Sequence, residues 1–198
     1  MAGELVMKPL LTFSRTIDRV NETIGKWMAW LVIAAALVSA GNAVIRKVFD
    51  TSSNAWLELQ WWLFGMVFLL CAPWTLSSNE HVRIDIVNNL FPRALKSGVE
   101  VIGHTLFLLP VCLVMLYTSV PFFMTSFLQN EQSANAGGLP LYPPKLLIPL
   151  AFALLLMQGI SELIKRFAII GGHLEETTFR GSQKAGTEAE ARRLLVEL

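Results

Sequence analysis

Most groups in this chain that could do chemistry stand at the edges of its apolar stretches. Glu58, in WLELQWWLFG, is the carboxylate at the mouth of one such stretch. Arg83 and Asp85 sit two residues apart in NEHVRID, just after His81. His104 falls inside another apolar run, where an imidazole can ligate haem or relay protons. Cys71 and Cys112 add two thiols, and His173 stands alone in a polar tail.

Glu58 admits two accounts. A carboxylate at the start of a helix is favoured by the macrodipole, and the same charge can instead meet an Arg or Lys of a neighbouring subunit. Arg83 and Asp85 share a face if their segment is extended and diverge if it is helical. One account is a solvated loop pair, worth about 0–1 kcal/mol; the other is a lock that fixes the loop against a partner. Bis-histidine haem needs a second His in a facing span, and the sequence offers none. His104 therefore reads as a hydrogen-bonded structural histidine. The three histidines pair neither with one another nor with a cysteine at metal-ligand spacing. Both cysteines lie within apolar runs and read as small packing residues, not a disulfide framework.

Nothing here resembles an active centre. The chain has no nucleophile–base arrangement, no paired catalytic carboxylates and no glycine-rich phosphate loop, so enzymatic activity is not expected. No cofactor or metal is expected in this chain. A net charge of +1 and the absence of a basic, aromatic-interleaved patch give no reason to expect nucleic acid.

The elements that carry these residues are membrane spans. Of 198 residues, 54% are apolar and 16% charged, against about 25% charged in a typical soluble domain; the mean hydropathy is +0.52. Crossing the hydrocarbon takes about 20 apolar residues. Four segments qualify, near Trp27–Ile45, Leu59–Leu76, Val101–Leu128 and Leu146–Leu163. The fold expected is an all-α integral membrane protein with four transmembrane helices. Within the spans the only charged residue is Glu162, at the exit of the fourth. Ion-coupled transport usually needs charged or broken helices around a site, so alone this chain reads as inert.

Tryptophan marks the span ends, because an amphipathic indole favours the headgroup level. Trp27 and Trp30 open the first span, Trp56, Trp61 and Trp62 open the second, and Trp74 closes it. Basic residues flanking the spans set the orientation. Lys8, Arg15, Arg19, Lys26, Arg83, Arg93, Lys96, Lys165 and Arg166 fall on one side, and only Arg46, Lys47 and Lys145 on the other. Both termini are therefore expected in the cytoplasm.

Three regions follow. Residues 1–26 form an arm in which Leu10, Phe13, Ile17, Val20 and Ile24 share a helical face, with Arg15, Asp18, Arg19 and Glu22 on the remainder; such a helix can lie along the cytoplasmic headgroups. A signal h-region is 7–15 residues long, so the longer first span, followed by Arg46–Lys47, reads as a retained helix despite the small-residue VSAGNA. Residues 27–170 hold the four spans. Ile84, Val87 and Phe91 in the inner loop suggest a short amphipathic helix, with Pro92 opening the third span. Pro110 and Pro121 each remove a backbone bond and should bend that span. The loop QNEQSANAGGLPLYPPK faces outside, and residues 171–198 form a polar, mobile cytoplasmic tail.

The order of these features resembles the small membrane subunit of tripartite ATP-independent periplasmic (TRAP) transporters, the DctQ-type family. Its features match Arg46 at the end of the first helix, Glu58 before the second, His81 to Asp85, and Leu90–Phe91–Pro92. GGLPLYPPKLLIPLAFALLLMQG, with Pro140 and Pro149, resembles the family's proline-marked start of its fourth helix. The resemblance covers roughly Ile17 to Arg166.

That resemblance implies a scaffold subunit in a bacterial or archaeal cytoplasmic membrane. It would brace a large, many-spanning elevator-type subunit that binds sodium ions and substrate. A periplasmic binding protein would deliver small organic acids or similar polar solutes. Arg46, Glu58, His81, Arg83 and Asp85 become the candidate interface residues. A membrane anchor of a redox complex, in which His104 would matter, and a small self-sufficient exporter are the alternatives.

Overall fold

The computed structural model describes residues 2–50, 53–78, 98 and 101–171. Four long helices account for nearly all of these, and no strand occurs among them. Helix α1 (Ala2–Phe49) and helix α2 (Asn54–Ser77) come first. Helix α3 (Leu109–Leu128) is entered through a π-helical turn, Gly103–Leu108. Helix α4 (Tyr142–Ile170) ends the described chain. All four runs are long and apolar enough to cross a membrane, so this is a multi-pass membrane protein.

The arm and the first span are one helix. Its 48 residues rise about 72 Å, more than twice the hydrocarbon thickness. Backbone hydrogen bonding does not stop where hydropathy falls, and nothing between Asp18 and Trp27 breaks the ladder. Ser14, Asn21, Met28, Ala35 and Asn42 recur every seven residues along α1, and all are buried or half-buried. A period of 3.5 keeps one seam facing its neighbours, as in supercoiled helix pairs. Only part of the arm's apolar set follows that seam. Ile17 is buried and Ile24 packs against the core, whereas Leu10, Phe13 and Val20 are exposed.

Helices α1, α2 and α4 pack against one another, while α3 packs mainly on α4. The shared core is formed by Leu70, Leu147, Ala151 and Leu154, with Ile24, Met28, Met66 and Leu69 against it. The α1–α2 approach depends on a glycine. A Cβ on Gly25 would lie 2.7 Å from Cδ2 of Trp74, so the indole rests directly on α1 backbone. Along α3 the buried positions are Cys112, Ser119 and Ser126, small residues that let two membrane helices come close. Both cysteines are free, and Cys71 Sγ lies 3.9 Å from the Gly25 carbonyl.

The expected inner-loop helix, with Ile84, Val87, Phe91 and Pro92, and the tail beyond Gly171 lie outside the described residues.

Candidate functional site

Polar side chains gather at both ends of the bundle. At the end where α2 begins, Glu58 is only 6% exposed. It lies past the first turn of α2, and its carboxylate receives three donors from the loop between α3 and α4. They are the Ser133 hydroxyl, the Asn135 side-chain amide at 2.9 Å and the Leu139 backbone amide at 2.6 Å. Asn54 adds a 3.0 Å bond from its side-chain amide to the Ala136 carbonyl. The loop folds back on itself through an antiparallel bridge between Gln132 and Pro140. Ser133 N donates to Leu139 O at 3.1 Å, and Leu141 N to Glu131 O at 2.8 Å. Gly137 supplies the left-handed corner with φ of 69°. At Gly138 a Cβ would sit 2.5 Å from Ser133 Cβ and 2.8 Å from Glu58 Oε1.

Glu131 anchors the base of this loop on α4 by pairing with Lys145. That ammonium also lies 4.3 Å from the centre of the Phe122 ring, a cation–π contact. The Lys145 partnership holds the Glu131 carboxyl below the usual carboxylate range. Tyr142 meets Phe127 edge-on, with ring centres 5.6 Å apart.

At the opposite end the arm of α1 meets the last turns of α4 through a buried polar cluster. Asn21 donates to Gln158 Oε1 at 2.7 Å, and Gln158 donates to Asp18 at 2.8 Å and to Glu162 at 3.1 Å. Ser161 donates to Asp18 at 3.0 Å and lies 2.6 Å from the Ser14 hydroxyl. Lys165 reaches both Asp18 oxygens at 3.1 Å and also pairs with Glu162. Sequence reasoning missed this cluster, having put Asp18 on the outward polar face of the arm. The signal was available: residues 14, 18 and 21 share one helical face, as do 158, 161, 162 and 165.

The remaining candidates are scattered. Arg46 is exposed in the last turn of α1, where a cation complements the helix C-terminus. Trp27, Trp30, Trp56 and Trp61 are exposed and Trp62 is half-buried, whereas Trp74 packs on Gly25. His104 is half-buried in the π-helical turn, and its carbonyl accepts the Leu109 amide. His81, Arg83 and Asp85 lie outside the described residues. No group of three His, Cys, Asp or Glu side chains among the described residues could hold a metal.

Residues 35–168 match the family model described as "Tripartite ATP-independent periplasmic transporters, DctQ component". The chain belongs to the DctQ family. The matched residues take in α2, α3 and nearly all of α4, together with the Glu58 clamp and the loop that it holds. A DctQ-family chain is a small membrane component of a TRAP transporter, and not an enzyme. No curated protein and no solved structure matches it. The match begins at Ala35, so the whole arm, with Ser14, Asp18 and Asn21, precedes it.

Proposed function

We propose that this DctQ-family chain is the fixed scaffold subunit of a sodium-coupled, binding-protein-dependent importer in the cytoplasmic membrane. It braces a large elevator-type membrane subunit, which binds the sodium ions and carries small organic acids or similar polar solutes. The observation that carries this reading is where the polarity goes. Glu58, Asp18, Glu162 and Lys165 are spent on contacts within the chain at the two ends of the bundle. Between those ends the outward faces of α1 and α3 are apolar. A body that moves in a bilayer needs a reference that does not move, and four long, internally tied helices suit that role.

In this reading both termini are cytoplasmic, and the Glu58 end with its loop 129–141 faces the periplasm near the docked binding protein. Glu58 shapes that surface from beneath. Arg83 and Asp85, with His81 beside them, fix the inner loop against the large subunit. Arg46 lies at the outer edge, and the six tryptophans set the depth of the bundle.

The deciding experiment reconstitutes the large subunit and binding protein in liposomes with and without this chain. Uptake driven by an inward sodium gradient should require all three. Full uptake without this chain would contradict the scaffold role. Arg83→Ala or Asp85→Ala should lower complex recovery and uptake together.

A further inference from the structure

Helix α3 is entered one residue out of step with its own sequence. Gly98, Thr105, Cys112, Ser119 and Ser126 recur every seven residues, a spacing that keeps them on one face of a continuous helix. Beyond Pro110 the structure follows that repeat, and Cys112, Ser119 and Ser126 are all buried. Before Pro110 it does not. Thr105 is exposed, and His104, one residue earlier, is half-buried in its place. Ile102, three residues before Thr105, is also turned outward, 54% exposed.

The break lies in the π-helical turn Gly103–Leu108. There the Leu109 amide donates to the His104 carbonyl, five residues back and not four. Such a turn holds one residue more than an α-helical turn, so the chain before it is rotated by about 100°. Two features favour the wide form. Pro110 follows the turn directly; in an α-helix its ring would press on the Leu106 carbonyl and offer it no donor. On the other flank Leu108 rests on Gly159 of α4, where a Cβ would come within 2.8 Å of Leu108 Cδ2. That seat adjoins Gln158, whose side chain holds the arm.

We infer that this turn is a register hinge, held wide by Pro110 and by the seat of Leu108 on Gly159, that closes to α-helix when either restraint is removed. The sequence repeat encodes the closed register, and the two restraints impose the wide one. Closure brings Thr105 against α4 in line with Cys112. It turns His104 outward and passes the surplus residue into the chain before Gly103. A polar imidazole facing lipid opposes that step, so the wide register is the resting one. The hinge thereby sets the rotation at which the inner loop feeds into α3.

The test is an oxygen-accessibility scan of the full chain in lipid nanodiscs. Cys71 and Cys112 are replaced by Ala, and one nitroxide at a time is placed at positions 101–107 and 111–117. Accessibility is high where a position faces lipid and repeats with the helix, so the phase of each stretch reads its register. With Pro110 present, the first stretch should be offset from the second by about one residue, near 100°. Pro110→Ala should bring the two stretches into phase. No offset with Pro110 present, or an undiminished offset in Pro110→Ala, overturns the inference. Loss of periodicity at 101–107 in the variant overturns it too, because the segment then unwinds and does not change register. Gly159→Ala displaces Leu108 and leaves the proline, and it should also shrink the offset. Should Pro110→Ala fail to fold, that second variant decides: an offset that Gly159→Ala leaves whole counts against the hinge.

Discussion

The Leu139 amide donates a 2.6 Å hydrogen bond to the Glu58 carboxylate across 81 positions of sequence. One side chain of α2 thus fixes the far side of a loop that belongs to α3 and α4. The Ser133 and Asn135 donors converge on the same carboxylate, and hydrogen bonds to a charged acceptor are roughly twice as strong as neutral ones. The loop therefore takes its shape from α2 as well as from its own ladder.

Glu58→Gln tests this division. The amide keeps one acceptor oxygen and turns an NH2 group toward donors, so at least one of the three bonds is lost. Hydrogen exchange at Leu139 should accelerate by roughly tenfold or more, while exchange in the middle of α2 stays the same. Unchanged protection would mean that the Ser133–Leu139 and Leu141–Glu131 bonds hold the loop unaided.

Gly138→Ala attacks the same contact from the loop side. Its Cβ would press on Ser133 and on the Glu58 carboxylate, so backbone must shift and the clamp must open. Gly65, in mid-α2, has nothing within 4 Å of its Cβ position, and Gly65→Ala should be neutral or favourable by up to about 1 kcal/mol through helix propensity. Protease sensitivity of loop 129–141 should rise for Gly138→Ala alone. Equal sensitivity in the two variants would refute the close approach.

Glu131 gives the loop a pH dependence. Its folded-state value lies below the ordinary 4.5, first because of Lys145. A depressed carboxylate adds stability above the unfolded-state value, and that stability is lost as pH falls through the lower folded-state value. Loop protection should thus be constant near neutrality and decline on acidification below about 4.5. Glu131→Gln should start lower and lack that component; a matching acid limb in the variant would assign the effect to another group.

The spans were legible in the sequence because hydropathy sums along a helix whatever it packs against. The DctQ resemblance was legible for the same reason, since its residues flank those spans in a set order. What stayed hidden were pairings between segments far apart. Glu58 was read against the helix dipole or a partner subunit, and its actual donors lie in the third loop. Asp18 was assigned to the outer face because the arm was weighed between lipid and water only; α4 is a third environment, and it accepts Asp18, Asn21 and Ser14 together. The arm was divided at Trp27 because composition changes there, although the helix does not.

The Asp18–Lys165–Glu162 cluster carries the sharpest energetic prediction. Side-chain exposure is 7% for Lys165, 6% for Glu162 and 29% for Asp18, so Lys165→Met would leave two carboxylates facing each other with little water to screen them. Removing one partner of a buried pair costs about 3–5 kcal/mol, mostly from the charge left behind. Gln158→Leu removes hydrogen bonds but no charge, so its cost should be nearer 1–3 kcal/mol. If the penalty is charge, adding Glu162→Gln to Lys165→Met should recover much of the loss, although it removes a further native contact. Detergent-titrated unfolding of the purified chain, followed by circular dichroism, measures all three. A double variant less stable than Lys165→Met would show that packing, not uncompensated charge, ties the arm to α4.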